Sequence, residues 1–241
     1  MRRAFGPVID RLAANGIDLT RQDVEVAPIA HYHMGGVRVT PSLETAVPGL
    51  FACGEAIGGS NGANRLSGNA ITEAFVFGAR AGINAAHRAK REANSWSAAA
   101  AAPIVDMLRS ARPADGPNLA QEVTDLQALM ADKVGPFRTA AKLSEALDEI
   151  ARMTRDLGTV PQAGKHGFDN VLLDWLDLRN MLLVARSVAT PALARTESRG
   201  AHQREDHIGM IGEWTVNQVL SLQGDDMPLT RVAPYSSKGA A

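Results

Sequence analysis

The sequence has little cysteine and no excess of charge of either sign. Cys53 is the only cysteine among 241 residues, which excludes an internal disulfide and a cysteine-based zinc site. Lys and Arg total 25 against 26 Asp and Glu, with no basic stripe, so the electrostatic footprint of a nucleic-acid-binding protein is absent. We therefore expect small-molecule or protein partners, no nucleic acid, and a reducing, cytoplasmic compartment.

Long hydrophobic runs are also missing. No stretch approaches the roughly 18 apolar residues of a membrane span, and the N-terminal arginines are not followed by the apolar core of a signal peptide. Attachment to a membrane through a partner stays open. With 45% hydrophobic residues, the chain has enough apolar material for one sizeable core or two smaller ones.

Glycine and helical periodicity divide the chain. The glycine-rich first part predicts a helix over 7–15, strands over 24–26, 37–40 and 50–53, a turn at 47–49, and a strong helix from Ala70 to about Arg88 with Asn69 as its N-cap. Ile71, Ala74, Phe75, Gly78 and Gly82 give that helix one flat apolar face. The alanine run 98–102, closed by Pro103, is interpreted as a linker.

The second part predicts mainly helices and a terminal hairpin. Apolar periodicity indicates helices over about 104–111, 118–133, 137–157 and 168–197, the last one kinked or ended by Pro191. Alternation from Trp214 to Val232 indicates a hairpin. We therefore predict an α+β fold with three parts: residues 1–95 as part of an α/β domain, 96–205 as a helical bundle, and 206–241 as a tail with short strands.

Two histidines precede a pair of glycines in the segment His31-Tyr32-His33-Met34-Gly35-Gly36. On an extended segment, His31 and His33 share one face and could bind a metal, but the sequence offers no obvious third ligand. Histidines that are satisfied by hydrogen bonds near a glycine turn are the more common alternative. We predict no metal site.

Two further segments have the chemistry of an anion or nucleotide site. Glu55 follows an apolar run at a glycine turn, where a carboxylate can accept from a ribose-like hydroxyl. Arg65 lies in a Gly/Asn-rich loop before the Ala70 helix, and its planar guanidinium suits bidentate capture of a carboxylate. The free N–H groups of Ala70 and Ile71 favour negative charge at the helix start. An ordinary turn and a surface arginine are the alternatives.

A fourth segment, residues 195–206 (RTESRGAHQRED), is dense in alternating charge. Such mixed charge is typical of a solvated or salt-bridged face more often than of a catalytic site.

Taken in order, HYHMGG (31–36), GLFACGE (49–55), GANRLSGN (62–69), Phe77-Gly78 and RTESRGAHQRED (195–206) resemble the flavoprotein subunits of succinate dehydrogenase and fumarate reductase, with L-aspartate oxidase as a relative. The resemblance implies an FAD-dependent oxidoreductase that transfers hydride between flavin and a dicarboxylate. By position, His31 and Arg65 match substrate-carboxylate ligands, Glu55 matches an FAD contact, and Ala70 and Ile71 match the helix start that faces the flavin. Cys53 is expected to pack within its strand.

The chain departs from the family pattern in two ways. Asn61 stands where the family often has histidine, and the sequence contains no G-x-G-x-x-G fingerprint for the FAD pyrophosphate. The resemblance therefore implies a C-terminal portion, without the dinucleotide-binding and capping parts and without the proton-donating arginine of the capping domain. We expect the missing parts to come from a separate chain, unless this chain is a truncated product.

The resemblance also allows a partner that carries iron–sulfur clusters, and a location peripheral to the inner membrane through partner subunits. Two other functions stay open. One is an L-aspartate oxidase type of enzyme, and the other is a non-catalytic helical assembly module.

Overall fold

The computed structural model describes residues 2–26, 31–91, 97–113, 115–164 and 170–234, in two compact units over 1–33 and 34–241. In the first unit, helix α1 (Arg2–Ala14) begins earlier than predicted and is kinked at Phe5 (φ −127°, ψ 19°), two residues before Pro7. This is where a proline ring disfavours regular helix. The predicted strand at 24–26 is wrong. Val26 is 85% exposed, and the described residues offer its backbone no pairing strand.

The second unit begins with irregular chain. The strands predicted over 37–40 and 50–53 are reduced to two single bridges, Val37 with Ile57 and Glu44 with Phe51. The turn at 47–49 is confirmed, because the Leu50 amide donates to the Val47 carbonyl at 3.0 Å. A short 3₁₀ turn (Gly54–Ala56) and helix α2 (Asn69–Arg91) follow. Asn69, which was predicted to be the N-cap, is therefore the first residue of the helix.

Helix α2 buries a different face from the predicted one. Glu73 and Ala81 are buried and Phe77 packs beside them, in a small core with Leu43 and Ile57. The face predicted to pack inward instead leaves Ile71 and Phe75 67% and 76% exposed. Since α2 has apolar residues on both sides, helical periodicity by itself does not decide which side the chain covers.

Four further helices are α3 (Ala98–Arg109), α4 (Leu119–Lys133), α5 (Ala140–Leu157) and α6 (Asn170–Ala194). The predicted linker at 98–102 is therefore wrong, because alanine has the highest helix propensity of any residue and this run forms the first turns of α3. Helix α6 contains Pro191 and ends three residues later. The N-caps Asn118 and Thr139 accept from the Gln121 and Lys142 amides at 3.3 and 3.2 Å.

The main hydrophobic core lies among α4, α5 and α6. Its most deeply buried members are Leu126, Leu143, Ala146, Ile150, Met153, Trp175, Leu178, Leu182 and Ala189. The Trp175 indole also donates to the Leu157 carbonyl at the end of α5, at 3.3 Å. The periodic apolar residues that predicted α4 and α5 thus face the longest helix, α6.

Short strands join the segments around the helices. β1 (Arg112–Pro113) pairs in parallel with β3 (Gln162–Ala163), and β2 (Phe137–Arg138) pairs in parallel with β4 (Gln203–Arg204). The predicted terminal hairpin is confirmed as β5 (Asn217–Leu220) and β6 (Leu229–Val232), which are antiparallel. The fold is α+β. Within the described part of the chain, no helix has the length and apolar character to cross a membrane.

Candidate functional site

The turn that carries Glu55 packs against helix α2. A Cβ added at Gly54, the first residue of this 3₁₀ turn, would lie 3.6 Å from the Cα of Ala74. Glu55 itself is exposed. A distance of 3.6 Å is an ordinary van der Waals contact, so the turn lies directly on the second turn of the helix, and it is the φ of +65° at Gly54 that favours glycine there.

The start of α2 is accessible. Ile71 is 67% exposed, and the first turn of the helix carries no acidic side chain. The N–H groups at Ala70 and Ile71 have no carbonyl four residues earlier within the helix, so they are available to an acceptor outside the helix. An anionic group placed here would meet the positive end of the helix dipole.

A buried carboxylate on α2 holds the loop that leads to Arg65. Glu73 is 8% exposed, and its Oε1 accepts from Ser60 Oγ at 3.0 Å and from Asn61 Nδ2 at 2.6 Å. Glu73 is not among the residues predicted from the sequence. The signal in the sequence was that Glu73 lies four residues before Phe77 and eight before Ala81, on one face of the helix. A carboxylate on a face that becomes buried needs hydrogen-bond partners.

Arg65 follows this loop and precedes α2. Its guanidinium donates from Nη1 to the Leu66 carbonyl at 3.1 Å, and the residue is half-buried. The structure therefore gathers three predicted features around the first turns of α2: the Glu55 turn, the Arg65 loop, and the helix start at Ala70 and Ile71.

The charged segment 195–206 reaches the same loop through its backbone. The Ala201 amide donates to the Ala63 carbonyl at 2.9 Å. A Cβ added at Gly200 (φ +57°) would lie 2.6 Å from the Ala63 carbonyl carbon, which is closer than real Cβ contacts. Two segments far apart in sequence thus touch at a point where only glycine fits.

A buried ion cluster holds the charged segment. Glu197 is 0% exposed and accepts from Arg195 Nη1 at 2.7 Å, from Arg199 Nε at 2.6 Å, and from the Ile211 amide at 2.7 Å. Burial alone would raise the pKa of Glu197, but the hydrogen bonds from Arg199, Ile211 and Arg195 outweigh it and lower the pKa to about 2. The segment is salt-bridged, as the sequence indicates, but around a buried carboxylate.

Arg204, in the same segment, links the C-terminal end of α6 to the start of α5. It is 2% exposed, and its Nη1 donates to the carbonyls of Ala192, Leu193 and Arg195 at 3.0–3.1 Å, which satisfies the C-terminus of α6. Its Nε donates to Asp206 Oδ1 at 2.7 Å, while Asp206 Oδ2 accepts from the Ala140 amide at the start of α5, also at 2.7 Å. The hydrogen bond from Arg204 lowers the pKa of Asp206.

His202 is a half-buried neutral imidazole in this segment. Arg138 Nη1 donates to His202 Nδ1 at 2.8 Å, and Nε2 faces the Arg195 carbonyl at 3.4 Å. Because an arginine only donates, Nδ1 must carry a lone pair. Burial, reinforced by the charge of Arg138, lowers the pKa of His202 to about 4.

His31 belongs to the first unit, where the residue is exposed. Among the described residues, no group of three His, Cys, Asp or Glu side chains is placed to hold a metal ion. Cys53 is half-buried and packs at the edge of the small core.

Two family models match the chain. Residues 7–71 match a model described as FAD binding domain, and residues 123–226 match one described as fumarate reductase flavoprotein C-term. The first range includes the Glu55 turn, Arg65 and the start of α2, and the second includes the buried ion cluster.

Individual relatives give the same result. The chain is 42% identical to a fumarate reductase (CoM/CoB) subunit of Methanothermobacter marburgensis over 86% of its own length and 38% of that protein. It is 38% identical to an L-aspartate oxidase of Rhodospirillum rubrum, over 85% of the chain and 66% of the relative. The Mycobacterium smegmatis Sdh1 complex in its apo form has a similar structure, with a TM-score of 0.83, 35% identity, and coverage of 98% of this chain and 41% of that one.

Proposed function

The chain belongs to the flavoprotein family of fumarate reductase and succinate dehydrogenase, to which L-aspartate oxidase is related, and from this premise we propose that it forms the dicarboxylate end of an FAD-dependent oxidoreductase. The observation that carries the proposal is the grouping of Arg65, the Glu55 turn and the open start of α2 within one region of the fold.

Arg65 is the proposed substrate ligand. A guanidinium on a loop fixed at Glu73 and at Gly200 can hold one carboxylate of the substrate with two parallel hydrogen bonds. Holding that carboxylate orients the adjacent carbon for hydride transfer. His31 is proposed as a second carboxylate ligand, and its support is the HYHMGG segment of the sequence.

The residues present fit a flavin. Ala70 and Ile71 lie at an exposed helix start without a carboxylate in its first turn, which suits a group that becomes anionic on reduction. Glu55, on the turn beside this helix, is the proposed acceptor for a hydroxyl of FAD. When bound, FAD supplies the hydride chemistry of the reaction.

The chain spans 38% of the length of the Methanothermobacter marburgensis relative. We propose that polypeptide outside these 241 residues supplies the dinucleotide-binding and capping parts, including the proton-donating arginine. The support is the outer face of α2, where Ile71, Phe75 and Ile83 are 67%, 76% and 56% exposed and a Cβ at Gly78 or Gly82 would meet no atom within 4 Å. An apolar face of this kind is typical of a surface that another segment covers.

An iron–sulfur subunit is a further proposed partner, which would place the enzyme at the membrane periphery.

The first experiment tests for flavin. Visible absorbance is measured on the chain purified alone and after co-expression with the neighbouring open reading frame. Flavin bands in the co-expressed sample only are expected. A chain that reduces fumarate alone with tightly bound FAD would refute the need for a second polypeptide, and absence of flavin from both samples would favour an assembly module.

The second experiment tests Arg65 in the flavin-loaded protein. Arg65→Ala is expected to lower turnover by at least about a hundredfold without unfolding the protein, since one carboxylate loses its bidentate partner. Arg80→Ala is the matched control, because Arg80 also donates to one backbone carbonyl, that of Pro41, at 3.3 Å. Turnover that is equal in the two variants would favour the non-catalytic module.

The acid that is oxidised is decided by a third assay. Similarity to an L-aspartate oxidase at 38% identity makes iminoaspartate formation the competing activity. Succinate oxidation and fumarate reduction without iminoaspartate formation are expected for the leading proposal. Iminoaspartate as the main product would assign the chain to the aspartate oxidase type.

A further inference from the structure

We propose that the turn at residues 199–202 is a positioning element for Arg65, acting through the contact of Gly200 and Ala201 with Ala63. This inference rests on the proposed role of Arg65 as a substrate ligand. It assigns a function to the charged segment beyond holding the helices together.

The contact is direct and specific to backbone. The Ala201 amide donates to the Ala63 carbonyl at 2.9 Å, and a Cβ at Gly200 would lie 2.6 Å from the Ala63 carbonyl carbon and 2.8 Å from the Ala63 Cβ. Any side chain at Gly200 must therefore push Ala63 away. Ala63 is two residues before Arg65, so such a displacement reaches the guanidinium.

The turn itself is rigid. The Arg199 amide donates to the His202 carbonyl at 2.8 Å, and the His202 amide donates back to the Arg199 carbonyl at 3.0 Å. Arg199 also clamps the buried Glu197 with Nε at 2.6 Å and Nη2 at 3.1 Å, and Arg138 fixes the His202 ring at 2.8 Å. A turn held from both ends in this way has a defined position.

The loop is also held from its other side. Ser60 and Asn61 are hydrogen-bonded to the buried Glu73 of α2, which fixes the chain just before Gly62. Helix α2 begins at Asn69, so Arg65 lies in the short stretch between Asn61 and the helix start. The 199–202 turn fixes the middle of that stretch at Ala63. The position of Arg65 is thus set by α2 on one side and by the ion cluster at the end of α6 on the other.

The test compares two glycine variants in the flavin-loaded protein. Gly200 and Gly224 have φ values of +57° and +62°, but a Cβ at Gly224 meets no atom within 4 Å. Gly200→Ala and Gly224→Ala therefore impose the same backbone strain, and only the first displaces Ala63. Gly200→Ala is expected to raise the KM for fumarate at least about tenfold, with a smaller change in kcat, with flavin content equal to that of Gly224→Ala, and with a Tm that is lower than in Gly224→Ala but still above the assay temperature.

A second pair of variants covers the case in which Gly200→Ala does not fold. Arg199→Lys keeps the charge but loses the two-point clamp on Glu197, whereas Arg152→Lys loses a similar clamp on the exposed Glu149 of α5. Arg199→Lys is expected to raise KM several-fold, and Arg152→Lys is expected to leave it unchanged.

The outcomes separate this inference from the proposed function. If Arg65→Ala impairs turnover but Gly200→Ala and Arg199→Lys have the KM values of their controls, the positioning role is refuted and the proposed function stands. If flavin content falls in parallel with activity in Gly200→Ala, the turn has a general structural role and the inference also fails. If Arg65→Ala has no effect, both fail together.

Discussion

At the scale of single residues, the most consequential group is the carboxylate of Glu197. It is fully buried, and Arg195 and Arg199 both form their ion pairs with it. Removing its charge leaves two guanidinium groups uncompensated, and breaking a buried pair on one side costs far more than the pair contributes in net stability.

Glu197→Gln is therefore expected to lower the free energy of unfolding by about 3 kcal/mol, measured by urea denaturation at pH 7. Glu149→Gln is the control, because Glu149 makes a comparable two-point contact with Arg152 on the exposed side of α5. A loss of stability as small for Glu197→Gln as for Glu149→Gln would show that the buried cluster is not a structural anchor.

The imidazole of His202 predicts a dependence on pH. Its folded-state pKa, about 4, lies below the ordinary value of 6.5, so folding favours the neutral ring. The stability that His202 contributes is complete above pH 6.5 and is lost as the pH falls toward 4. Between pH 6.5 and 4.5 the lowered pKa values of Glu197 and Asp206 cause only a small loss, because their ordinary values are 4.5 and 3.8.

Urea midpoints measured from pH 7 to pH 4.5 are therefore expected to fall in the wild type. His202→Asn keeps an acceptor for Arg138 without the titration, so its midpoint is expected to change much less over the same range. Parallel curves for the two proteins would assign the pH dependence to other groups.

At the scale of elements, helices α4 and α5 begin at caps that the sequence encodes locally. Thr139 accepts from the Lys142 amide at 3.2 Å, whereas Ser97, which precedes α3 in the equivalent position, makes no side-chain cap bond. Thr139→Ala is expected to lower the free energy of unfolding by about 1 kcal/mol, and Ser97→Ala by only a few tenths. Equal effects on the thermal midpoint would contradict the assignment of the cap.

Helix α2 shows the limit of prediction at this scale. Its existence and approximate ends follow from the sequence, but the buried face does not. Glu73, Phe77 and Ala81 repeat every four residues just as Ile71, Phe75 and Ala79 do, and the second stripe is the more apolar. The structure buries the stripe with the carboxylate because Ser60 and Asn61 supply its hydrogen bonds.

At the scale of the whole molecule, the exposed stripe of α2 predicts how the chain depends on a partner. Phe75→Gln is expected to reduce flavin content in the co-expressed protein without changing the helical content of the chain alone, since the side chain is 76% exposed. Leu173→Gln, at a position that is 58% exposed on α6, is the control and is expected to retain flavin. Equal flavin content in both would show that this face of α2 is not covered in the assembled enzyme.

Local patterns in the chain were enough to predict the family, the α+β class, the helices α4, α5 and α6, the terminal hairpin, and the segments that carry Glu55, Arg65, Ala70 and Ile71. Each of these depends on a motif or a periodicity that lies within a short stretch of chain. The sequence also predicted strands, at 37–40 from local alternation and at 50–53 from a compact apolar run. A strand forms only where a partner backbone lies alongside, and the described chain offers single bridges there.

Three features follow only from the packed fold: the burial of Glu197, the role of Glu73, and the contact between Gly200 and Ala63. All three depend on groups that are distant in sequence and meet only after the helices pack, so no local pattern encodes them. The GANR and RGAH segments could each be identified separately. Their contact exists only in the folded chain, where the absence of a Cβ at Gly200 lets the two backbones touch.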